Sequence, residues 1–133
     1  METLNKTAAA LPLVLVAEDD ESNFKLIKAI IGKHCELLWA HHGQEAVDFF
    51  KAHQADIRMI LMDIKMPGMT GLEATEAIRS LNSEVPIVMQ TAYAFAADRD
   101  KALKAGANDV LVKPITLAVL RQAVSLYIPG IQW

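Results

Sequence analysis

The chain has 133 residues, of which 53% are hydrophobic and 22% are charged, and its formal net charge is −3 at pH 7. This length and composition predict a single globular domain and exclude a disordered chain. The slightly negative charge, with 13 Lys and Arg residues scattered along the sequence, argues against direct binding to nucleic acid. The only cysteine, Cys35, excludes an internal disulfide and is expected to be a buried apolar side chain in a cytoplasmic protein.

The first ten residues are expected to form a flexible extension, and residues 11–133 the folded domain. The longest apolar run, Ala8–Ala17, contains Pro12 and is shorter than the ~18 residues that a membrane helix needs. A secretory signal peptide is disfavoured, because its removal would delete the first predicted strand. The sequence therefore predicts no membrane span.

Short apolar runs alternate with amphipathic stretches through the rest of the chain. The apolar runs predict five strands: Leu13–Ala17, Glu36–Ala40, Ile57–Met62, Ile87–Gln90 and Val110–Val112. They do not alternate strictly between apolar and polar residues, which indicates strands buried on both faces of a parallel sheet. Apolar residues at helical spacing predict a helix after each strand. The fourth helix, at about Ala97–Ala105, has the fewest apolar anchors and is expected to be the most mobile.

Polar side chains follow four of the five predicted strands. Glu18-Asp19-Asp20 follows the first strand, and Asp63, Thr91 and Lys113 follow the third, fourth and fifth. Because crossover connections are right-handed, the loops after these strands emerge at one edge of the sheet. Carboxylates gathered there repel one another unless a divalent cation lies among them, and such oxygen ligands suit Mg²⁺. Thr91 and Lys113 would then supply donors to an anionic group.

These residues and their surroundings resemble the receiver domains of two-component response regulators. The resemblance covers about Leu11 to Tyr127 and is carried by four segments: Leu15–Asp20, Met62–Gly71, Pro86–Ala92 and Ala105–Pro114. It implies one doubly wound (βα)5 domain of the flavodoxin-like α/β class. The implied sheet has five parallel strands in the order 2-1-3-4-5, with helices on both faces.

The resemblance also implies which residues hold the metal and accept the phosphoryl group. Asp63 would be the phosphoacceptor, and Glu18, Asp19 and Asp63 would bind Mg²⁺ together with the backbone carbonyl of Lys65. Asp20 would be adjacent to this site and not a primary ligand. A carboxylate nucleophile forms an acyl phosphate, which is reactive and therefore transient, as a switch requires.

Further residues are assigned by the same resemblance. Thr91 and Lys113 would bind oxygens of the phosphoryl group, and the peptide bond between Lys113 and Pro114 would be cis. Val110 occupies a position where the family usually has Tyr or Phe, so the familiar aromatic readout of phosphorylation is in question. Lys65 and Tyr93 border the site, and we expect them to tune hydrolysis of the acyl phosphate.

The implied function is a signalling domain of a phosphorelay. It would take a phosphoryl group from a phosphohistidine on a histidine kinase or a histidine phosphotransfer domain, and then change its contacts with a downstream protein. Such a domain is not an enzyme beyond catalysing its own phosphorylation and dephosphorylation. It could be a free-standing regulator or the receiver segment of a hybrid sensor histidine kinase; the run from Thr91 to Arg99 is more similar to hybrid kinases, and both alternatives stay open.

Three other functions compete with this interpretation. A phosphatase of the haloacid dehalogenase type also uses an aspartate after an apolar strand, but it needs a second Asp two residues later, where this chain has Lys65. A flavin-binding module is disfavoured because acids at the strand ends would repel the phosphate of FMN. A receiver-like interaction module without phosphorylation is opposed by the complete set of site residues.

Overall fold

Helices and strands alternate along the whole of the domain. The computed structural model describes residues 10–133. Its elements are β1 Leu13–Ala17, α1 Glu21–Ile31, β2 Glu36–Ala40, α2 Gly43–His53, β3 Ile57–Asp63, α3 Gly71–Leu81, β4 Ile87–Thr91, α4 Ala96–Ala105, β5 Asp109–Val112 and α5 Leu117–Tyr127. The strands form one sheet in the order β2-β1-β3-β4-β5, and every pairing is parallel. This topology confirms the predicted fold class.

Three strand ends differ by one residue from the predictions, and one further prediction concerns the start of the chain. The flexible extension predicted at residues 1–10 lies, apart from Ala10, outside the described residues and stays a prediction. Strands β3 and β4 are one residue longer than predicted, so that Asp63 and Thr91 are their last residues, and β5 begins one residue earlier at Asp109. Two of the expected site residues are therefore part of the sheet itself.

The expectation that all five strands are buried on both faces is wrong for the two edge strands. Every residue of β4 is buried, and so are all residues of β1 and β3 except Leu13 and Arg58. In β2, by contrast, only Ala40 is buried, and in β5 Val112 is 44% exposed. An edge strand has a neighbour on one side only, so the helices cover it less completely.

The sheet separates two apolar clusters, because successive residues of a strand point to opposite faces. Leu15 and Ala17 belong to the cluster that contains buried residues of α2, α3 and α4. Val14 and Val16 belong to the cluster that packs against α1 and α5. The sheet is thus covered on both faces, as the doubly wound fold requires.

Capping residues mark the starts of α1 and α3, the helices that follow β1 and β3 at the carboxyl edge of the sheet. The side chain of Asp20 accepts a hydrogen bond from the backbone N–H of Ser22 and caps α1. Thr70 and Glu73 form a reciprocal capping box at the start of α3. Gly71 packs so closely on the end of β3 that a Cβ atom there would collide with the carbonyl oxygen of Asp63. This contact fixes the loop after β3 against the strand that carries Asp63.

Two further predictions can be compared with the described residues. Cys35 is buried as expected, and its burial raises the pKa of the thiol to about 11. None of the helices formed by residues 10–133 combines the length and the apolar character needed to cross a bilayer.

Candidate functional site

The loops after four strands bring the expected site residues together at the carboxyl edge of the sheet. Asp63 and Thr91 end β3 and β4 and are both buried. Glu18 follows β1 and has no solvent exposure, whereas Asp19 is exposed. Lys113 follows β5, and its side chain is 23% exposed and extends to Glu18 and Asp63.

Three carboxylates form a compact cluster at this edge. One carboxylate oxygen from each of Glu18, Asp19 and Asp63 lies within 4.8 Å of the other two. Clustered hard oxygen donors that carry negative charge suit Mg²⁺, which neutralises them and keeps several waters of its own. The donor set is therefore appropriate for a magnesium ion. Asp20 points instead to the start of α1, in agreement with its expected position beside the site.

Lys113 is paired with two of these carboxylates. Its Nζ atom lies 3.0 Å from Asp63 Oδ2 and 3.3 Å from Glu18 Oε1. Burial alone would lower the pKa of Lys113, but the nearby carboxylates of Asp63 and Glu18 outweigh this effect and raise the pKa above its ordinary value. The lysine is therefore held as an ammonium ion in the site.

The surroundings of Glu18 favour the charged form of its side chain less than the surroundings of Lys113 favour the ammonium ion. Burial raises the pKa of its carboxyl group, and the neighbouring charge of Asp63 raises it further. Hydrogen bonds from the side-chain amide of Asn23 and from the backbone N–H of Asp20 act in the opposite direction and lower the pKa. The net effect is a raised pKa, so the hydrogen-bond donors around Glu18 offset only part of the cost of burying its charge.

Three residues around Glu18 were not singled out from the sequence. Asn23 Nδ2 donates to Glu18 Oε1 and, over 3.3 Å, to Gln90 Oε1. The indole N–H of Trp39 donates to the backbone carbonyl of Glu18 over 2.7 Å. The sequence carries one signal for this group, namely a glutamine inside the apolar run Ile87–Thr91, because a buried polar residue needs a partner.

A cleft of about 320 Å³ opens next to Asp63. It is lined by Asp63, Ile64, Lys65, Thr91, Ala92, Tyr93, Asp98 and Lys113. The hydroxyl oxygen of Thr91 accepts a hydrogen bond from the backbone N–H of Tyr93, and the backbone N–H of Lys113 donates to the carbonyl of Thr91. These bonds fix the backbone around two of the expected phosphoryl-binding residues. The peptide bond between Lys113 and Pro114 is cis.

Lys65 and Tyr93 meet at the mouth of this cleft. Both side chains are exposed, and Lys65 Nζ lies 5.1 Å from the centroid of the Tyr93 ring. A cation at this distance from an aromatic ring is attracted by the electron density on the ring face. The two residues that the sequence suggested as neighbours of the site are therefore in contact with each other.

Val110 borders a smaller cavity on the outer side of Tyr93. This cavity has a volume of about 100 Å³ and is lined by Tyr93, Ala94, Phe95, Ala96, Arg99, Val110 and Val112. The rings of Tyr93 and Phe95 stack with their centroids 6.1 Å apart, and Phe95 is 67% exposed. A cavity of this size thus lies beside Val110, and the exposed rings of Tyr93 and Phe95 form part of its lining.

Comparison with known proteins supports the resemblance. A family model described as the response regulator receiver domain matches residues 14–125. The signal transduction histidine-protein kinase BarA of Escherichia coli (strain K12) is 38% identical over 122 residues, which cover 88% of the chain. The chain spans only 13% of the length of that kinase.

Solved structures give a consistent result. The receiver domain of sensor histidine kinase PA1611 from Pseudomonas aeruginosa PAO1, crystallised with a magnesium ion coordinated in its active site cleft, is 32% identical, with a TM-score of 0.81. The match covers 91% of the chain and 100% of that structure. A chain in the co-crystal structure of the Saccharomyces cerevisiae phosphotransfer protein Ypd1 with the receiver domain of Ssk1 is 31% identical, with a TM-score of 0.81 and 88% coverage of both chains.

Proposed function

The chain belongs to the response regulator receiver domain family, and on that premise we propose that Asp63 accepts a phosphoryl group from a partner's phosphohistidine with the help of Mg²⁺. One observation carries this proposal: Lys113 bridges Asp63 and Glu18 inside a cluster of three carboxylates that borders an open cleft. A nucleophile, a metal site and a cation for the incoming charge are then within reach of one another.

Each residue of the cluster has a distinct role in the proposed transfer. Glu18, Asp19, Asp63 and the backbone carbonyl of Lys65 would hold Mg²⁺. A bound ion would neutralise negative charge on the oxygens of the transferred phosphoryl group.

The transfer forms one bond and breaks another. A carboxylate oxygen of Asp63 attacks the phosphorus atom, and the bond between phosphorus and the partner's imidazole nitrogen breaks, so that this nitrogen keeps the electron pair. The ammonium group of Lys113 and the hydroxyl of Thr91 would donate hydrogen bonds to the phosphoryl oxygens. In the unphosphorylated state Lys113 pairs with Asp63 Oδ2, which leaves Oδ1 as the oxygen without this ion pair.

The partner is proposed to be a histidine kinase or a histidine phosphotransfer domain. The similarity to a chain in the Ypd1 complex and to the histidine-protein kinase BarA supports this choice. The domain would act in the cytoplasm and pass its signal to a downstream protein by contact, without binding nucleic acid itself. Its own chemistry would be limited to gaining and losing the phosphoryl group.

The lifetime of the phosphorylated state would be set at the cleft mouth. Lys65 and Tyr93 are in contact there, and both line the cleft that opens next to Asp63. Readout of phosphorylation would differ from the usual aromatic mechanism, because Val110 has no ring to reorient. Tyr93 and Phe95, which line the cavity beside Val110, are the aromatic side chains available to replace it.

Phosphorylation by a small acyl phosphate tests the proposal. The chain is incubated with acetyl phosphate and Mg²⁺, and its intact mass is measured. We expect one added phosphoryl group, which requires Mg²⁺ and is lost in Asp63→Asn. The matched control is Asp20→Asn, because Asp20 is an adjacent acid whose side chain caps α1, and this variant should be phosphorylated normally. A chain without any Mg²⁺-dependent adduct would instead be an interaction module that has lost phosphorylation.

A further inference from the structure

Glu18 is held by an unusual arrangement of two side-chain amides. The NH₂ group of Asn23 donates one hydrogen bond to Glu18 Oε1 and one to Gln90 Oε1, which lies 3.3 Å from Asn23 Nδ2. An amide NH₂ group has two protons, and both are used here. Asn23 therefore links an acid at the end of β1 to a glutamine in β4.

Gln90 has no obvious structural reason to be polar. It is 1% exposed, and its neighbours in β4 are Val88, Met89 and the site residue Thr91. Among the described residues its Nε2 atom is buried without a hydrogen-bond partner. A buried amide donor without a partner is costly, so an apolar side chain would serve packing alone better.

The position of Gln90 places it beside the acids. It is the register partner of Asp63 in the pairing of β3 with β4. By the alternation of strand residues, Gln90 shares the sheet face of Val88, and Asp63 shares the face of Leu61, which is the same α1 and α5 side. Gln90 thus lies next to the carboxylate cluster and not in a remote part of the core.

We propose that Asn23 and Gln90 are positioning residues for Glu18. An asparagine can present either its NH₂ group or its carbonyl oxygen, and a carbonyl oxygen facing Glu18 would repel the carboxylate. The carbonyl oxygen of Gln90 requires a donor from Asn23 and so selects the orientation in which the NH₂ group faces Glu18. Gln90 acts on Glu18 through Asn23, and the pair keeps the buried carboxylate aimed for a metal ion.

This inference rests on the proposed function in one respect, namely that Glu18 holds Mg²⁺. Partners that orient metal ligands typically change metal affinity by about 10- to 100-fold when they are removed. Asn23→Ala should therefore weaken Mg²⁺ binding by about 10-fold or more. Gln90→Met, which keeps the length of the side chain and removes the amide, should weaken it by a smaller factor. The double variant should bind like Asn23→Ala alone, because Gln90 has no effect once Asn23 is gone.

Isothermal titration with Mg²⁺ measures these affinities, and Thr75→Val is the matched control. Thr75 is also buried and polar, but its hydroxyl contacts Met89, whose side chain belongs to the cluster on the opposite face of the sheet. We expect the control to bind Mg²⁺ as tightly as the unmodified chain. Unchanged affinity in Asn23→Ala, or independent effects of the two substitutions that multiply in the double variant, would overturn the inference.

A second measurement needs no metal. In the nitrogen-15 NMR spectrum of the unmodified chain in EDTA, both side-chain NH₂ protons of Asn23 should be shifted and protected from exchange with water. Gln90→Met should release one of them and leave the other. If Gln90→Met does not fold, Gln90→Leu and the signals of the unmodified chain still decide the question. Two unprotected Asn23 protons would contradict the amide pair.

The two measurements separate the two hypotheses. If the unmodified chain does not bind Mg²⁺ but both Asn23 protons are protected, the proposed function fails while the amide arrangement stands. If the chain binds Mg²⁺ and the Asn23 and Gln90 variants bind it equally well, the proposed function stands and the positioning role is wrong.

Discussion

Lys113 Nζ lies 3.0 Å from Asp63 Oδ2 and 3.3 Å from Glu18 Oε1, so one nitrogen contacts two carboxylates. One partly buried ammonium ion thus bridges two acids whose charges would otherwise repel each other. Without a metal, Lys113 supplies the positive charge that this edge of the sheet requires. Asp19 has no ion pair in the described part of the chain, so the contributions of Lys113 and Asp19 to the stability of the metal-free protein should differ in sign.

Replacing Lys113 should destabilise the metal-free protein. We expect Lys113→Met to lower the free energy of unfolding by about 1–3 kcal/mol in EDTA, because two buried carboxylates lose their common partner. Urea unfolding measures this value, and added Mg²⁺ should restore part of the loss. Lys25→Met is the control, since Lys25 pairs with Glu21 on the exposed surface of α1 and should contribute less than about 1 kcal/mol. Equal losses in the two variants would contradict the prediction.

Asp19 should behave in the opposite way. It is exposed, and no ion pair of Asp19 is found within residues 10–133, so it adds repulsion to the cluster without a matching attraction. We expect Asp19→Asn to leave the free energy of unfolding in EDTA unchanged or to raise it by up to about 1 kcal/mol. The same substitution should weaken Mg²⁺ binding by at least about 10-fold, because it removes a charged ligand. A large loss of stability without metal would show that Asp19 has a structural partner instead.

The contact between Lys65 and Tyr93 makes the lifetime of the phosphorylated state testable. We expect Lys65→Ala and Tyr93→Ala each to speed hydrolysis of the acyl phosphate several-fold, because either substitution opens the cleft to water. The double variant should be no faster than the faster single variant. Phe95→Ala is the control, since Phe95 stacks on Tyr93 but does not line the cleft. Loss of phosphate, followed by intact mass after removal of acetyl phosphate, gives the rates. Rates equal to that of the unmodified chain would exclude these two side chains as determinants of lifetime.

The cavity beside Val110 predicts how the chain responds to an aromatic residue there. Val110→Tyr should change the free energy of unfolding by less than about 1 kcal/mol, because the added ring can occupy the existing space of about 100 Å³. The comparison is Leu111→Tyr, at a buried neighbouring position in β5, which should cost at least about 1–3 kcal/mol through overpacking. Urea unfolding of both variants measures the difference. Equal costs would mean that the cavity does not accommodate a ring.

Much of the fold and the identity of the clustered acids could be predicted because they depend on short patterns. Apolar runs located the strands to within one residue at each end, and the strand-end residues Asp63 and Thr91 followed from them. The overestimate of burial in β2 and β5 came from the same patterns, because an apolar run does not reveal which strands lie at the edge of a sheet.

The amide pair could not be predicted in this way. Asn23 and Gln90 are 67 residues apart in the chain and meet only because α1 packs on the same side of the sheet as the end of β4. Within the acidic run, Asp20 caps α1, whereas Glu18 and Asp19 belong to the carboxylate cluster. Choices among neighbouring polar residues depend on side-chain direction, which one sequence does not specify.

The central claim is that the phosphoryl group is carried by Asp63. Acyl phosphates of aspartate are reduced by borohydride to homoserine, so reduction of the phosphorylated chain followed by peptide sequencing in a mass spectrometer identifies the modified position. We predict homoserine at position 63 after treatment with acetyl phosphate and Mg²⁺, and none when Mg²⁺ is replaced by EDTA. Homoserine at the position of Asp19 or Asp20, or at no position at all, would contradict the account.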